Sequence, residues 1–479
     1  MNEKTETKTV SIRTLLKSGF WYTVSNFLTR TVGFLTIPIF SRILTKAELG
    51  NYLNYGVWLN ILTIICGIEV YNTLNRARFD YPEEERFDAY VSSCLVLSTI
   101  LTGIVFGLYL LFPDVFFNVL LIDHRFMVFM FLYLFMYPAY AMFQIKQRIT
   151  YRYKLSAGIS CGLALASSVL AVLLAVHAPE DHLSGRIFGQ YSLTILAGFA
   201  FYIYFLRKSI SVRVEYIIYA LRIGLPLVFS YLGSSILLSS DNFVVKHMCL
   251  DEQVGYIALI HSAAHIVLIL VQTLNIAWAP WFYDKLKDGQ NETIQKTYKV
   301  FVWMVVIATF LVLLLGPELV LILGGKDYYE AVFILPANIL NGVFTALTTQ
   351  LVNLETYYKK PEYAAVITGI VAVVNIGANI LGVLLWDYRA VCYVTVVCNI
   401  LAILIHYRCA YKMNVKVLLK PADLAMFISA SLLLIPVSLI LYRFFTLRII
   451  VSVVAILAVL VVAWDKRERI LGLVKRIRK

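Results

Sequence analysis

Apolar residues come in runs of about twenty, each closed by a short polar or charged turn, and this pattern recurs from Ser18 to Asp465. Such a run matches the hydrocarbon core of a bilayer crossed as an α-helix, in which the helix itself satisfies the backbone N–H and C=O groups. The pattern predicts spans at residues 18–40, 50–70, 89–112, 126–145, 156–177, 187–206, 219–240, 254–276, 300–322, 331–353, 363–386, 389–407, 423–442 and 447–464. An all-α polytopic membrane protein of about 14 transmembrane helices is expected. The longest segments between spans, Tyr71–Asp88, Arg207–Ile218 and Tyr283–Lys299, read as inner loops too short to fold as domains.

Composition removes the soluble alternative: 60% of the 479 residues are hydrophobic and 15% charged, against about 45–50% and about 25% in soluble chains. Mean hydropathy is +0.77. Lys and Arg mark the cytoplasmic side of short loops. With the N-terminus inside, 32 of the 42 basic residues fall in inner segments or, as Arg222 does, in the first turn of the adjoining span, which predicts an even number of spans and both termini in the cytoplasm. The net charge of +13 then reflects topology signals such as Lys146, Arg148, Arg152 and Lys154, placed to meet anionic lipid, rather than a nucleic-acid surface. The first seventeen residues lack the apolar run and cleavage site of a signal peptide, and Val10–Lys17 reads as a basic amphipathic segment on the inner surface.

A repeat emerges when Ser41-Arg-Ile-Leu-Thr-Lys-Ala-Glu-Leu-Gly50 is laid over Lys246-His-Met-Cys-Leu-Asp-Glu-Gln-Val-Gly255. In each an apolar helix exits, an acidic turn follows and a glycine opens the next span. Because both segments face the same side, the repeat is parallel, with six spans in each half. The predicted organisation is an N-terminal segment 1–17, an N-lobe 18–206, a cytoplasmic linker 207–218, a C-lobe 219–407, two further helices 408–464 and a basic tail 465–479. Pro38, Pro138, Pro226, Pro336 and Pro436 fall inside spans, where bends are tolerated beside neighbouring helices or a wet cavity.

A charge in the middle of a span is costly and needs a partner or a watery cavity. Arg30 is such a charge, and Asn26 lies one turn before it on the same face. A guanidinium fork suits phosphate oxygens, so this pair is a candidate anion site, with an ion pair to an acid such as Glu69 as the structural alternative. Glu69, Asp241 and Glu355 end spans two, seven and ten, and each could carry a proton or coupling ion or merely cap an interface. His261 and His265 stand four residues apart but enclose Ser-Ala-Ala and have no evident third ligand, so they are expected to line a cavity or pack rather than hold a metal. Asn275–Asp284, with Trp278, Trp281 and Tyr283, reads as an interfacial aromatic belt or, less simply, a sugar-stacking platform. Gly158-Ile-Ser-Cys-Gly162 is a GxxxG that permits close helix packing and carries no sign of activity. The scattered cysteines form no CxxC pair, and Gly324-Gly325-Lys326-Asp327 lacks the spacing of a phosphate-binding loop, so no metal, cofactor or nucleotide is expected.

The run Arg30-Thr-Val-Gly-Phe-Leu-Thr-Ile-Pro-Ile-Phe-Ser-Arg-Ile-Leu-Thr-Lys-Ala-Glu-Leu-Gly-Asn-Tyr52 resembles the opening of the Wzx-type polysaccharide flippases. Ala220-Leu-Arg-Ile-Gly-Leu-Pro-Leu-Val-Phe-Ser, Ser239-Ser-Asp-Asn-Phe and Ala277-Trp-Ala-Pro-Trp-Phe-Tyr resemble the second half of that family, in order and spacing over nearly the whole chain. The resemblance implies the multidrug, oligosaccharidyl-lipid and polysaccharide exporter fold, with two six-helix lobes in a V around a central cavity plus two C-terminal helices. It also implies a flippase of the bacterial inner membrane that moves undecaprenyl-pyrophosphate-linked repeat units between leaflets by alternating access, for O-antigen, capsule or exopolysaccharide. Its implied partners are that glycan, membrane lipids, and polysaccharide polymerase and chain-length proteins. Arg30 fits the cavity arginine expected to engage pyrophosphate. Many relatives carry an Arg after the Asp of the Ser-Asp pair, where this chain has Asn242. The competing readings are a cation-coupled drug exporter on the same fold, which would favour first-lobe acids, and a membrane-embedded polymerase or ligase, which would need a sizeable outer loop.

Overall fold

The computed structural model describes residues 12–150, 152–178, 181–358, 360–413 and 418–465. Residues 1–11, where the expected amphipathic segment begins, and the basic tail beyond Asp465 lie outside them. Among the described residues the chain is helical throughout. In order the helices are α1 (Ile12–Ile43), α2 (Lys46–Gly67), α3 (Val70–Asp80), α4 (Glu84–Leu111), α5 (Pro113–Leu120) and α6 (His124–Ile149). Then come α7 (Tyr153–His177), α8 (His182–Lys208), α9 (Val214–Met248), α10 (Asp251–Lys287), α11 (Asn291–Leu314) and α12 (Gly316–Gly324). A 3-10 segment (Lys326–Phe333) leads into α13 (Leu335–Tyr357), followed by α14 (Pro361–Leu385), α15 (Ala390–Ala410), α16 (Pro421–Arg443) and α17 (Phe445–Asp465).

Eleven of the fourteen predicted spans fall on a single helix, and 50–70, 300–322 and 331–353 each cross a helix break. Eleven helices among the described residues are long and apolar enough to cross a membrane, or twelve when the 3-10 segment and α13, bent by 58°, are taken as one. Thr31–Ile43 and Phe445–Ala458 form shorter apolar helices. Three boundaries differ from the pattern. Tyr71–Asp88 is not a loop: α2 breaks at Ile68 and Glu69, both in the left-handed region, and α3 resumes at Val70. The span expected at 300–322 stops at Leu314, because Gly316-Pro317 starts a new helix. Pro336 sits in the first turn of α13 rather than inside a helix, where its missing N–H costs nothing.

The chain divides into two compact units, the first comprising 1–258 and 368–388, the second 259–367 and 389–479. In the first unit, α7 and α8 meet through small residues. A Cβ on Gly189 would lie 2.3 Å from Cα of Ala171, and one on Gly185 would lie 2.5 Å from the Ala175 nitrogen. The close packing that Gly158 and Gly162 permit is not used among the described residues, where nothing lies within 4 Å of a Cβ at either position; the close pairing with α8 sits at the other end of α7. At the inner end by the charge pattern, Lys146 pairs with Asp88, and Ser92 Oγ donates to the Ser209 carbonyl at 2.7 Å, holding the segment before α9 against α4.

The two repeat segments pack on each other within the first unit. A Cβ on Gly50 would come within 2.8 Å of the Asp251 carbonyl oxygen, and one on Gly255 within 2.4 Å of the Lys46 carbonyl oxygen. Lys46 and Asp251 are equivalent in the alignment, as are Gly50 and Gly255, so the contact is reciprocal. Lys46 Nζ donates to the Tyr256 hydroxyl at 2.8 Å, and Lys246 Nζ donates to Asn51 Oδ1; Asn51 and Tyr256 are again equivalent positions. Thr45 caps α2 with a capping box to Glu48, which fixes where the helix begins.

In the second unit the aromatic segment of α10 is a core rather than a lipid-facing belt. Trp278 and Phe282 are buried, and Trp278 packs on Tyr298 and Phe301 of α11 at 5.7 and 5.2 Å between ring centroids. Arg448 at the start of α17, itself buried, makes a fork to the more exposed Glu318 of α12, tying a C-terminal helix to this unit.

Candidate functional site

The break after α2 creates the first polar feature of the interior. Ile68 has φ 43° and Glu69 φ 51°, a conformation that costs a β-branched residue about 1–2 kcal/mol and that persists only where the surroundings enforce it. Gly224 of α9 lies against the break: a Cβ there would fall 2.5 Å from the Ile68 carbonyl oxygen. The Glu69 carboxylate is 3% exposed and accepts from the Tyr71 hydroxyl at 2.9 Å and Asn72 Nδ2 at 2.6 Å. Glu69 is thus a buried carboxylate at the break, in the N-cap position of α3.

From Tyr71 a file of rings crosses the first unit. Tyr71 meets Tyr137 at 6.2 Å between centroids, Tyr137 stacks on Tyr133 at 5.1 Å, Tyr133 meets Tyr191 at 5.4 Å, and Tyr191 meets Tyr55 at 5.6 Å. Tyr133 and Tyr137 stand four residues apart on α6, so one helix face supplies both rings. Four of these rings are half-buried and Tyr55 is buried, and the Tyr71 hydroxyl is taken up by Glu69. Nearby on α8, Arg186 is buried, stacks over Phe40 at 3.6 Å and Tyr52 at 4.5 Å, and donates to Gln190 at 3.2 Å.

A second polar cluster joins α9 to α14. Asn379 Nδ2 donates to Asp241 Oδ1 at 2.9 Å and to Asn375 Oδ1 at 3.1 Å, and Ser240 Oγ also donates to Asn375 Oδ1. All four side chains are buried, and Asn379 Oδ1 finds no hydrogen-bond partner among the described residues. Asp241 was expected at the end of a span, but α9 continues to Met248, which places the carboxylate well inside the helix. Its neighbour Asn242, at the position where an Arg was awaited, is buried with neither amide atom partnered among the described residues.

Glu355 lies in the second unit and is fully buried, its Oε1 2.8 Å from Nδ1 of His406 on α15. His261 and His265 occupy the second-unit portion of α10, the first half-buried and the second exposed, both with interaction partners. Arg30 and Asn26 lie on α1, but their side chains are outside the described residues. Glu69 and Asp241 therefore belong to separate clusters of the first unit, and no group of three metal-ligating side chains occurs among the described residues.

Sequence reasoning missed Asn375, Asn379, His406, Arg186 and the tyrosine file. The two asparagines, four residues apart in an apolar span, were the available signal. Arg186 lies one residue outside the predicted span 187–206, where a cation reads as part of a loop.

Among the described residues the chain is a polytopic helical bundle with broken helices and buried polar clusters. The family follows from comparison: residues 15–286 match the model of the polysaccharide biosynthesis protein family, and the chain belongs to that family. A Lsg locus protein of Haemophilus influenzae is 23% identical over 337 residues, 67% of this chain and 80% of that one. Among solved structures, the lipid II flippase MurJ in an inward closed conformation superposes with a TM-score of 0.68 at 15% identity, covering 94% of this chain and 99% of that one. An inward-facing multidrug resistance MATE family transporter of the MOP superfamily gives 0.53 at 15% identity, covering 86% and 97%. The family and exporter fold expected from the sequence are those found.

Proposed function

We propose that this chain is a flippase that carries undecaprenyl-pyrophosphate-linked oligosaccharide repeat units from the inner to the outer leaflet of a bacterial plasma membrane, by alternating access of the lobes 18–206 and 219–407. The observation that carries the reading is the tyrosine file from Tyr71 to Tyr55, set in a family of polysaccharide biosynthesis. Rings with hydroxyls offer apolar faces to the C–H surfaces of sugars and donors to their oxygens. A head group moving along such a file exchanges water for equivalent contacts, which offsets its desolvation. The lipid tail stays in the bilayer.

Arg30 is assigned to the pyrophosphate, which a guanidinium binds as a fork, with Asn26 beside it and His261 and His265 along the cavity. Asp241, with Asn375 and the unpartnered oxygen of Asn379, is the coupling-ion site we favour, because a carboxylate among amide and hydroxyl oxygens suits a small hard cation or a proton. Glu355 with His406 is a second proton-exchanging candidate. Both termini are placed in the cytoplasm, and polymerase and chain-length proteins are the expected partners. One observation favours the rival reading of a cation-coupled exporter of small molecules: Glu69 is a buried first-unit acid of the kind that reading requires.

The test is the lipid-linked oligosaccharide pool of cells depleted of this protein. Build-up relieved by the wild type and not by Arg30→Ala supports the flippase; no build-up together with new drug sensitivity supports the exporter.

A further inference from the structure

In the second unit, the open face of α13 is polar where a helix against lipid would be apolar. Of the eight positions of α13 that are not buried, six are Asn or Thr: Asn341, Thr345, Thr348, Thr349, Asn353 and Thr356. Their spacing of three and four residues sets them on one side of the helix, along about 22 Å of its axis. No large apolar side chain of α13 is exposed, whereas the adjoining α11 exposes Val300, Met304 and Ile307 and α15 exposes Val397 and Leu401. Polar side chains within a bilayer turn to protein or water, so the open face of α13 meets water rather than lipid. It carries no charged residue, which sets it apart from a site for phosphate or a cation. At the end that the basic-residue pattern expects inside, Asn275 of α10 joins this face. Asn275 Oδ1 accepts from Gln350 Nε2 and from Asn353 Nδ2, each at 3.0 Å, and Asn353 Nδ2 also donates to Gln350 Oε1 at 2.8 Å. That leaves Asn275 Nδ2 and Asn353 Oδ1 without a hydrogen bond among the described residues, and both side chains are only half-buried, so a donor and an acceptor stand open side by side. One turn beyond Asn353, the half-buried ring of Tyr357 stacks on Tyr283 at 5.9 Å between centroids.

We propose that the open face of α13, with Asn275, binds the uncharged sugars of the cargo head group, one ring docking at Asn275 and Asn353 beside Tyr357. An amide N–H next to an amide C=O matches two neighbouring hydroxyls of a pyranose, each of which both donates and accepts, and a half-open phenol ring suits its C–H face. Further along the face, Thr349 and Thr356 donate to the Thr345 and Val352 carbonyls of their own helix, which leaves their oxygens as acceptors. The Thr345 and Thr348 hydroxyls have no partner among the described residues and can do either. Successive sugars therefore exchange water for equivalent bonds at each turn, which offsets their desolvation. The inference rests on the saccharide-flippase reading and adds to it which residues of the second unit hold the glycan.

The test uses full-length protein in lipid nanodiscs and saturation-transfer NMR with maltotriose, galactotriose and triacetylchitotriose, with inorganic pyrophosphate as competitor. The variants are Asn353→Leu and the pair Thr345→Val with Thr348→Val, which place apolar groups of similar size at open positions of a membrane helix and should fold. The pair Thr345→Ser with Thr348→Ser keeps the hydroxyls. Binding of at least one trisaccharide, unmoved by pyrophosphate, weakened about three- to tenfold by Asn353→Leu and by the valine pair and retained by the serine pair, supports the site. No binding of any trisaccharide, or equal binding by the wild type and both apolar variants, overturns it and leaves a face that holds water alone. If the wild type relieves oligosaccharide build-up in cells while no trisaccharide binds, the α13 site fails and the flippase stands. If trisaccharides bind as described while the wild type relieves no build-up, the site stands and the flippase fails.

Discussion

Single residues divide by how loudly they announce themselves in a chain of apolar runs. Glu69, Asp241 and Glu355 are visible because a carboxylate among Leu, Ile and Val violates the pattern. Asn375 and Asn379 carry no charge and leave the hydropathy of their span intact, so their pairing with Asp241 is legible only once α9 and α14 are side by side. Neither residue of the left-handed pair Ile68 and Glu69 is a glycine that would betray it, so in sequence the helix break looks like a span ending in a loop. Asp241→Ala removes the acceptor of Asn379 and the proposed ion ligand together. A hydrogen bond to a carboxylate contributes about 1.5–3 kcal/mol, so relief of oligosaccharide build-up by this variant is expected to fall about tenfold or more at equal membrane abundance; relief at the wild-type level would remove Asp241 from the transport cycle.

At the scale of elements, helix existence was legible and helix contacts were not. Hydrophobic runs fix which segments become helices, but any small-xxx-small spacing on a span is a possible contact, and only packing selects among them. Gly158 and Gly162 face open space, whereas Gly185 and Gly189 lie on Ala175 and Ala171. Gly189→Val must push the backbones of α7 and α8 apart and is expected to cost about 1–3 kcal/mol of stability, read as a clear drop in thermal midpoint of the detergent-purified protein. Gly158→Val should leave that midpoint nearly unchanged, and equal effects of the two would contradict the packing described.

At the largest scale, the two repeat segments meet within the first unit. The alignment of 41–50 on 246–255 is weak as sequence, yet equivalent residues meet reciprocally: Gly50 lies against Asp251, Gly255 against Lys46, and each lysine side chain reaches the residue that follows the opposite glycine. Such a contact needs glycine at both positions because the neighbour is backbone. Gly50→Val and Gly255→Val are each expected to hold this end apart. A cysteine at Asn51 in a background lacking the native cysteines should then react with a membrane-impermeant maleimide several-fold faster than in the parent. An unchanged rate would mean that the segments do not close on one another in the membrane. Family and exporter fold were legible at this scale because motif order and span spacing survive where individual residues drift.

The central claim, that the protein moves a lipid-linked saccharide between leaflets, is tested most directly in sealed vesicles containing purified protein and an undecaprenyl-pyrophosphate-linked oligosaccharide. The readout is the fraction of its sugar open to an impermeant oxidant over time. A flippase brings the inner-leaflet pool into reach within the assay, and Arg30→Ala slows it markedly; exposure no faster than in protein-free vesicles would contradict the claim.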